Sequence, residues 1–341
     1  MRPLWRSLLS ALLVGIVFFV SGGVYADASP RLAQIRDRGH LSCGVMPRVA
    51  GFATVDSKGR YSGFEIDICR AISAAIFGVP NNVTFVTAES VGEFKRRGEI
   101  DIVARRLTWT LRREADNDLL FGPIIFYDGA GFLVPAALGV DRPQDLSGRP
   151  ICVHGGSEAL AALVTYYQSA RLQLVHRPFD SIAAAAAGFF AGECAALAAD
   201  ISELGAVRAE RPAQRDNFLV LPQMISKEPL ALLMRQADEQ LFLVVRWTIF
   251  ALIEAEELDV SSSNVDDRFS SGDLQVRWLL GPETGNSLGL DERWVANVIR
   301  SVGNYGEIFS RHLGADSSIK LERGLNRLWT SGGLMYAPPV R

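Results

Sequence analysis

From residue 31 onward the chain alternates short apolar runs with amphipathic stretches. A brief helix over 31–38 is stopped by Gly39. Strand patterns follow over 40–45 and 83–86, and Ile100, Ile102 and Val103 form a third. Helical spacing predicts helices over 67–77 and 91–97 between them, with a turn cluster at Asp56-Ser57-Lys58-Gly59. Strand, helix, strand, helix, strand is the alternation of a parallel or mixed α/β sheet. The plan then repeats, with strands over 150–153, 172–175 and 193–198 and helices over 157–170 and 182–191. Two copies of one plan predict two lobes. Segments 131–134 and 219–225 are expected to pair as connecting strands, so that the chain crosses out and back through a two-strand hinge. The division this gives is 27–132 with 226–341 for the first lobe and 133–225 for the second. Residues 238–256 form a long, mostly apolar helix whose stripe reads as core. A further helix over 291–308 is broken near Gly303-Asn304-Tyr305-Gly306.

The first residues depart from this pattern. Arg2 and Arg6 precede an apolar run from Leu8 to Val20, the length of a signal-peptide core and short for a membrane span. Val24 and Ala26 stand at −3 and −1, so residues 1–26 are expected to be a signal peptide cleaved after Ala26; an uncleaved anchor is the rival reading. Of the 341 residues 48% are hydrophobic and 21% charged, which supports a large core and argues against disorder. A net charge of −3 lacks the basic face that nucleic acid requires.

Export makes disulfides chemically possible, and the four cysteines allow three pairings. Cys43–Cys69 and Cys152–Cys194 are favoured, because each pair joins neighbouring elements inside one lobe. No CxxC occurs and His40, His154, His176 and His312 are scattered, so no metal site is expected. No cofactor is expected either.

The candidate chemistry concentrates in residues 99–134. There a strand end runs into Thr108-Trp109-Thr110 and then Arg113. Two hydroxyls can donate to a carboxylate, Thr110 can cap a short helix over 111–115, and the planar Arg113 fork can pair both carboxylate oxygens. Arg105, Arg106 and Arg112 are close by, so by spacing alone Arg113 is equally one of several surface arginines.

The stretch IDIVAR-x-x-TWT-x-x-R followed by YDGxGFLV, and the ending GLNRLWTSGGLMYAPPVR, resemble the periplasmic solute-binding proteins of polar amino acid ABC transporters, and more narrowly their general L-amino-acid-binding subgroup. The resemblance covers about residues 31–341. It implies a two-lobe α/β fold that shuts on its ligand, an inner-membrane ABC permease as partner, and a monomer. It also implies that Thr108, Thr110 and Arg113 hold an α-carboxylate. Gly156, Ser157 and Glu158 match in place the Gly-Thr-Thr that meets the same carboxylate from the second lobe. Glu158 departs in kind. It could repel the ligand, attract a basic side chain, or turn to solvent as a favourable first-turn charge, and the last is preferred. Asp200 matches the aspartate that pairs the α-ammonium, the plain alternative being a helix cap. Arg106, Leu107 and Lys95 also depart from the family pattern and stand near the expected side-chain wall. Phe52 and Val49 are candidate wall residues and Tyr127 a weaker one, although each such residue is more often core. Glu65 and Asp67 read best as a helix start.

The expected function is therefore capture of L-amino acids, with broad specificity, outside the cytoplasm for an ABC permease. Two rivals share the same binding chemistry. A dehydratase-like periplasmic enzyme would need a placed acid or base, for which His154 and Glu158 are the suggestive pair. A ligand-binding sensor would report to a receptor instead of a permease.

Overall fold

The computed structural model describes residues 30–88, 90–115, 119–236 and 238–340. The expected signal peptide, residues 1–26, and its expected cleavage site lie outside these residues. Two five-stranded mixed sheets carry the fold, one at the centre of each lobe. The first runs in the order Val83–Thr87, Leu41–Val45, Ile102–Ala104, Glu228–Arg235, Leu119–Asp128, with Glu228–Arg235 antiparallel to both its neighbours. The second runs Val175–Phe179, Pro150–His154, Ala196–Asp200, Ala130–Pro135, Phe218–Val220. Its first three strands are parallel and the last two antiparallel. The doubled α/β plan is thus realised as two mixed sheets.

The chain passes between the sheets twice, side by side. Leu119–Asp128 ends in the first sheet and Ala130–Pro135 begins in the second, with Gly129 as the step between. The return runs from Phe218–Val220 to Glu228–Arg235 and stays bonded to the outgoing segment: Leu221 N–H donates to the Phe132 carbonyl and Ile225 N–H to that of Ala130, at 2.9 and 2.8 Å. A Cβ on Gly129 would stand 2.5 Å from the Ser226 carbonyl oxygen, so no larger residue allows the two passes to lie this close. A third connection comes from the C-terminal segment. Asn326 exchanges hydrogen bonds with the Tyr127 backbone, and Arg208, on the second-lobe helix Ile201–Ala209, donates to the carbonyls of Ile319 and Lys320.

Each lobe has its own core. In the first, the helix Glu239–Glu257 buries Leu241, Val244, Ile249 and Leu252, while Phe52, Phe64, Phe126, Tyr305 and Phe309 meet ring to ring. Disulfides join Cys43 to Cys69 and Cys152 to Cys194, one per lobe. Among the described residues no helix is long and apolar enough to cross a membrane.

Some boundaries move from their sequence positions. The first long helix starts at Phe64, because Phe64 and Ile66 fit the core already in its first turn. The third strand of the second lobe is Val175–Phe179, not 172–175; it is an exposed edge strand, while Leu172 and Leu174 pack on the core from the preceding loop.

Asp67 clamps that helix to Tyr305–His312. Its carboxylate is 2.7 Å from His312 Nε2, 2.8 Å from Arg311 Nη2 and 2.9 Å from Arg70 Nη1. Burial pushes this carboxyl up, but the His312 hydrogen bond and the surrounding positive charge outweigh it and hold the pKa at about 2. A depressed carboxyl stabilises the fold above its unfolded pKa, and that stability is lost as pH falls from about 4 towards 2. Asp67→Asn is expected to cost about 2 kcal/mol at pH 7. Urea unfolding checks this: the gap between wild type and variant should shrink as the pH is lowered to 3 and below.

Candidate functional site

The Thr108–Arg113 loop is held from both sides. Thr108 bridges to Leu230 in backbone pairing, and Trp109 N–H donates to the Pro229 carbonyl at 2.8 Å. The Trp109 ring stacks on Phe121 and its indole N–H donates to Glu114. Thr110 Oγ1 accepts the Arg113 N–H at 3.2 Å, so it caps the helix Leu111–Ala115 as its position predicts. Arg113 folds back to donate from Nη1 to the Thr108 carbonyl at 2.9 Å.

The other end of Arg113 reaches across the cleft. Its Nη2 is 3.2 Å from Glu158 Oε1, in the first turn of the second-lobe helix Glu158–Ser169. Glu158 keeps the solvated first-turn place expected of it, with its side chain 67% exposed, and in addition pairs with Arg113. The Thr108 hydroxyl donates to Glu228 Oε2 at 2.8 Å. Both clamp groups therefore already face protein carboxylates. Ser157 caps its helix through the Leu160 N–H and donates to the His154 carbonyl. Ser157, Glu158 and Asp200 share a small pocket of about 60 Å³ on the second-lobe face.

Asp200 ends the strand Ala196–Asp200 and precedes the helix Ile201–Ala209, yet its carboxylate does not cap that helix. Asp128, from the first sheet, accepts the Ser202 N–H and hydroxyl instead. That leaves Asp200 directed at Arg106, whose Nη2 lies 3.8 Å away. Arg106 holds a left-handed backbone, φ 51°, and its N–H donates to the buried Glu65. Its guanidinium lies over the Phe52 ring, 5.6 Å from the centroid. Phe52 itself is 1% exposed and belongs to the aromatic core; it supports Arg106 from below.

The acids crowd one another. Burial pushes Asp200 up to about 7 and the Asp128 charge adds to it, against the pull of Arg106. Burial likewise raises Asp128, Glu228 and Glu65, the last to about 7, with Thr108 opposing at Glu228 and the Arg106 N–H and charge opposing at Glu65. Carboxylates lifted this way sit where a cation would relieve them. Residue patterns did not single out Asp128, Glu228 or Ser202, nor Arg106 as a partner for Asp200. A signal was available for two: Asp128 and Glu228 are the acids flanking the outgoing and returning passes.

The model of the bacterial extracellular solute-binding proteins, family 3, matches residues 41–263. The general L-amino acid-binding periplasmic protein AapJ of Rhizobium johnstonii is 39% identical over 342 residues, covering 98% of this chain and 99% of its own. The putative amino-acid ABC transporter-binding protein YhdW of Escherichia coli is 35% identical over 343 residues, covering 98% and 100%. A solved ABC transporter/periplasmic binding protein from Brucella ovis, with glutathione bound, superposes with a TM-score of 0.80 at 39% identity over 91% of this chain and 99% of that one. Sequence, two-lobe fold and full-length similarity agree, and the chain belongs to the family 3 extracellular solute-binding proteins.

Proposed function

We propose that this protein captures L-amino acids in the cleft between its lobes and delivers them to an ABC permease of the inner membrane. The observation that carries this is the placement of Arg113 on one lobe and Asp200 on the other, each turned into the cleft. An amino acid is a zwitterion, so it can bridge the two. Contacts made only when the lobes are together then shift the protein to the closed state. Thr108, Thr110, Arg113 and Ser157 form the carboxylate side and Asp200 the ammonium side, with Glu158 at the margin; Phe52 stays in the core beneath Arg106 and reaches the site only through it. The names of AapJ and YhdW support amino acids as ligands and an ABC transporter as destination. The glutathione held by the Brucella protein, a peptide with its own ammonium and carboxylate ends, supports broad specificity.

In this reading the first lobe is 27–132 with 226–341 and the second 133–225, the strand Ala130–Pro135 straddling the outgoing boundary. The protein works as a periplasmic monomer after removal of residues 1–26. It binds and releases its ligand unchanged, as its close relatives are binding proteins rather than enzymes.

Removing one partner of a buried charge clamp costs roughly 3–5 kcal/mol. At about 1.4 kcal/mol per tenfold, Arg113→Ala should weaken amino acid binding by roughly a hundredfold or more. Calorimetric titration with the common L-amino acids checks this, and an unchanged dissociation constant would take Arg113 out of the site. Asp200 makes a second prediction with opposite effects on binding and stability. A carboxyl raised to about 7 costs stability as pH climbs from about 4 through 7, and the penalty persists above that. Asp200→Asn should therefore melt higher than wild type at pH 8 and near wild type at pH 4, while losing amino acid affinity. Thermal melts at the two pH values, with and without ligand, read out both effects.

A further inference from the structure

The groups assigned to a ligand's two charges are each matched by a protein group of the corresponding sign. Arg113, the carboxylate partner, meets the Glu158 carboxylate at 3.2 Å. Thr108, expected to donate to the same carboxylate, donates to Glu228 at 2.8 Å. Asp200, the ammonium partner, lies 3.8 Å from the Arg106 guanidinium. Arg113–Glu158 and Arg106–Asp200 both span the cleft between first-lobe and second-lobe elements.

We propose that Glu158 is an affinity- and specificity-determining residue of this site: its carboxylate stands in for the ligand's on Arg113, and the ligand must displace it. This rests on the amino acid reading above. The position suits the role. Glu158 is the first residue of its helix, on a backbone fixed by the Ser157 cap, so its side chain swings from a firm base. Being 67% exposed, it can leave Arg113 for water at little desolvation cost. Glu228 is charge-coupled to both Glu158 and Arg113, so a carboxylate arriving there adds to a crowded set of negative charge. The internal pair is present only while the ligand is not, so it stabilises the ligand-free protein alone and lowers affinity by that amount. The penalty falls on every ligand that offers a carboxylate to Arg113. A ligand also carrying a positive group near the helix start recovers part of it by pairing with the displaced Glu158.

The test uses the mature protein and the variants Glu158→Gln and Glu158→Ala. Exposed pairs contribute up to about 1 kcal/mol, and loss of the added repulsion acts in the same direction. Both variants should bind L-glutamine roughly 3- to 10-fold tighter than wild type. Their preference for L-arginine over L-glutamine should fall by a similar factor. A second reading needs no ligand: small-angle scattering should give ligand-free Glu158→Ala a larger radius of gyration than wild type, because one interlobe pair is gone. Unchanged or weaker L-glutamine binding in both variants overturns the proposal. An unchanged radius of gyration also overturns it; if wild type and variants bind no amino acid at all, the amino acid reading fails, and the scattering then tells only whether the Arg113–Glu158 pair joins the lobes.

Discussion

A single buried carboxylate, Asp128, governs how the lobes meet. It ends a first-sheet strand at 3% exposure, and three donors satisfy it: the Gly129 N–H and the N–H and hydroxyl of Ser202. Two of these belong to the first turn of a second-lobe helix. The bond therefore caps a helix across the lobe boundary at the point where the chain steps over. Burying an acid so thoroughly is costly unless it is fully bonded, and here the bonding doubles as the pivot. Because Asp128 takes the cap, Asp200 does not have to. The carboxylate of Asp200 is left for the cleft, with Asp128 close enough to raise its pKa.

Much of this fold can be read from the chain because period and breakers are strong. The first-lobe strands Leu41–Val45, Val83–Thr87 and Ile102–Ala104, the long helix at Glu239–Glu257 and the break before Tyr305 follow from apolar spacing and glycine placement. The strand Val175–Phe179 does not. It is an edge strand with little to bury, so its residues carry no apolar rhythm, while Leu172 and Leu174 carry one in a loop. Site residues divide the same way. Thr110 announces its cap by spacing, and Asp200 its position by ending a strand. The ion pairs of Arg113 with Glu158 and of Arg106 with Asp200 join positions 45 and 94 residues apart in the chain, on different lobes. No local pattern encodes such a pairing; it depends on the angle at which two sheets face each other.

That angle is constrained by three connections rather than two. The paired passes near Gly129 and Ser226 lie side by side, and the Asn326 and Arg208 contacts bring the C-terminal segment over the same boundary. Two adjacent strands alone would permit twisting as well as opening. A third tether joins them, bonded to the backbone at Tyr127 and to the helix Ile201–Ala209.

Such a hinge makes weak interlobe pairs sufficient. The Arg113–Glu158 pair is partly solvated, with side chains 32% and 67% exposed, so it holds the lobes together only weakly and yields readily to a competitor. In the proposed site, a ligand that brings both charges would exchange it for a contact sealed from water, where the same charges interact more strongly. The gain is the difference between a screened pair and a desolvated one, not the whole strength of the new contact. In the proposed role, capture and release both benefit from this arrangement, because the ligand-free state is already partly satisfied. Closure then costs little reorganisation, and release restores pairs that the protein supplies for itself.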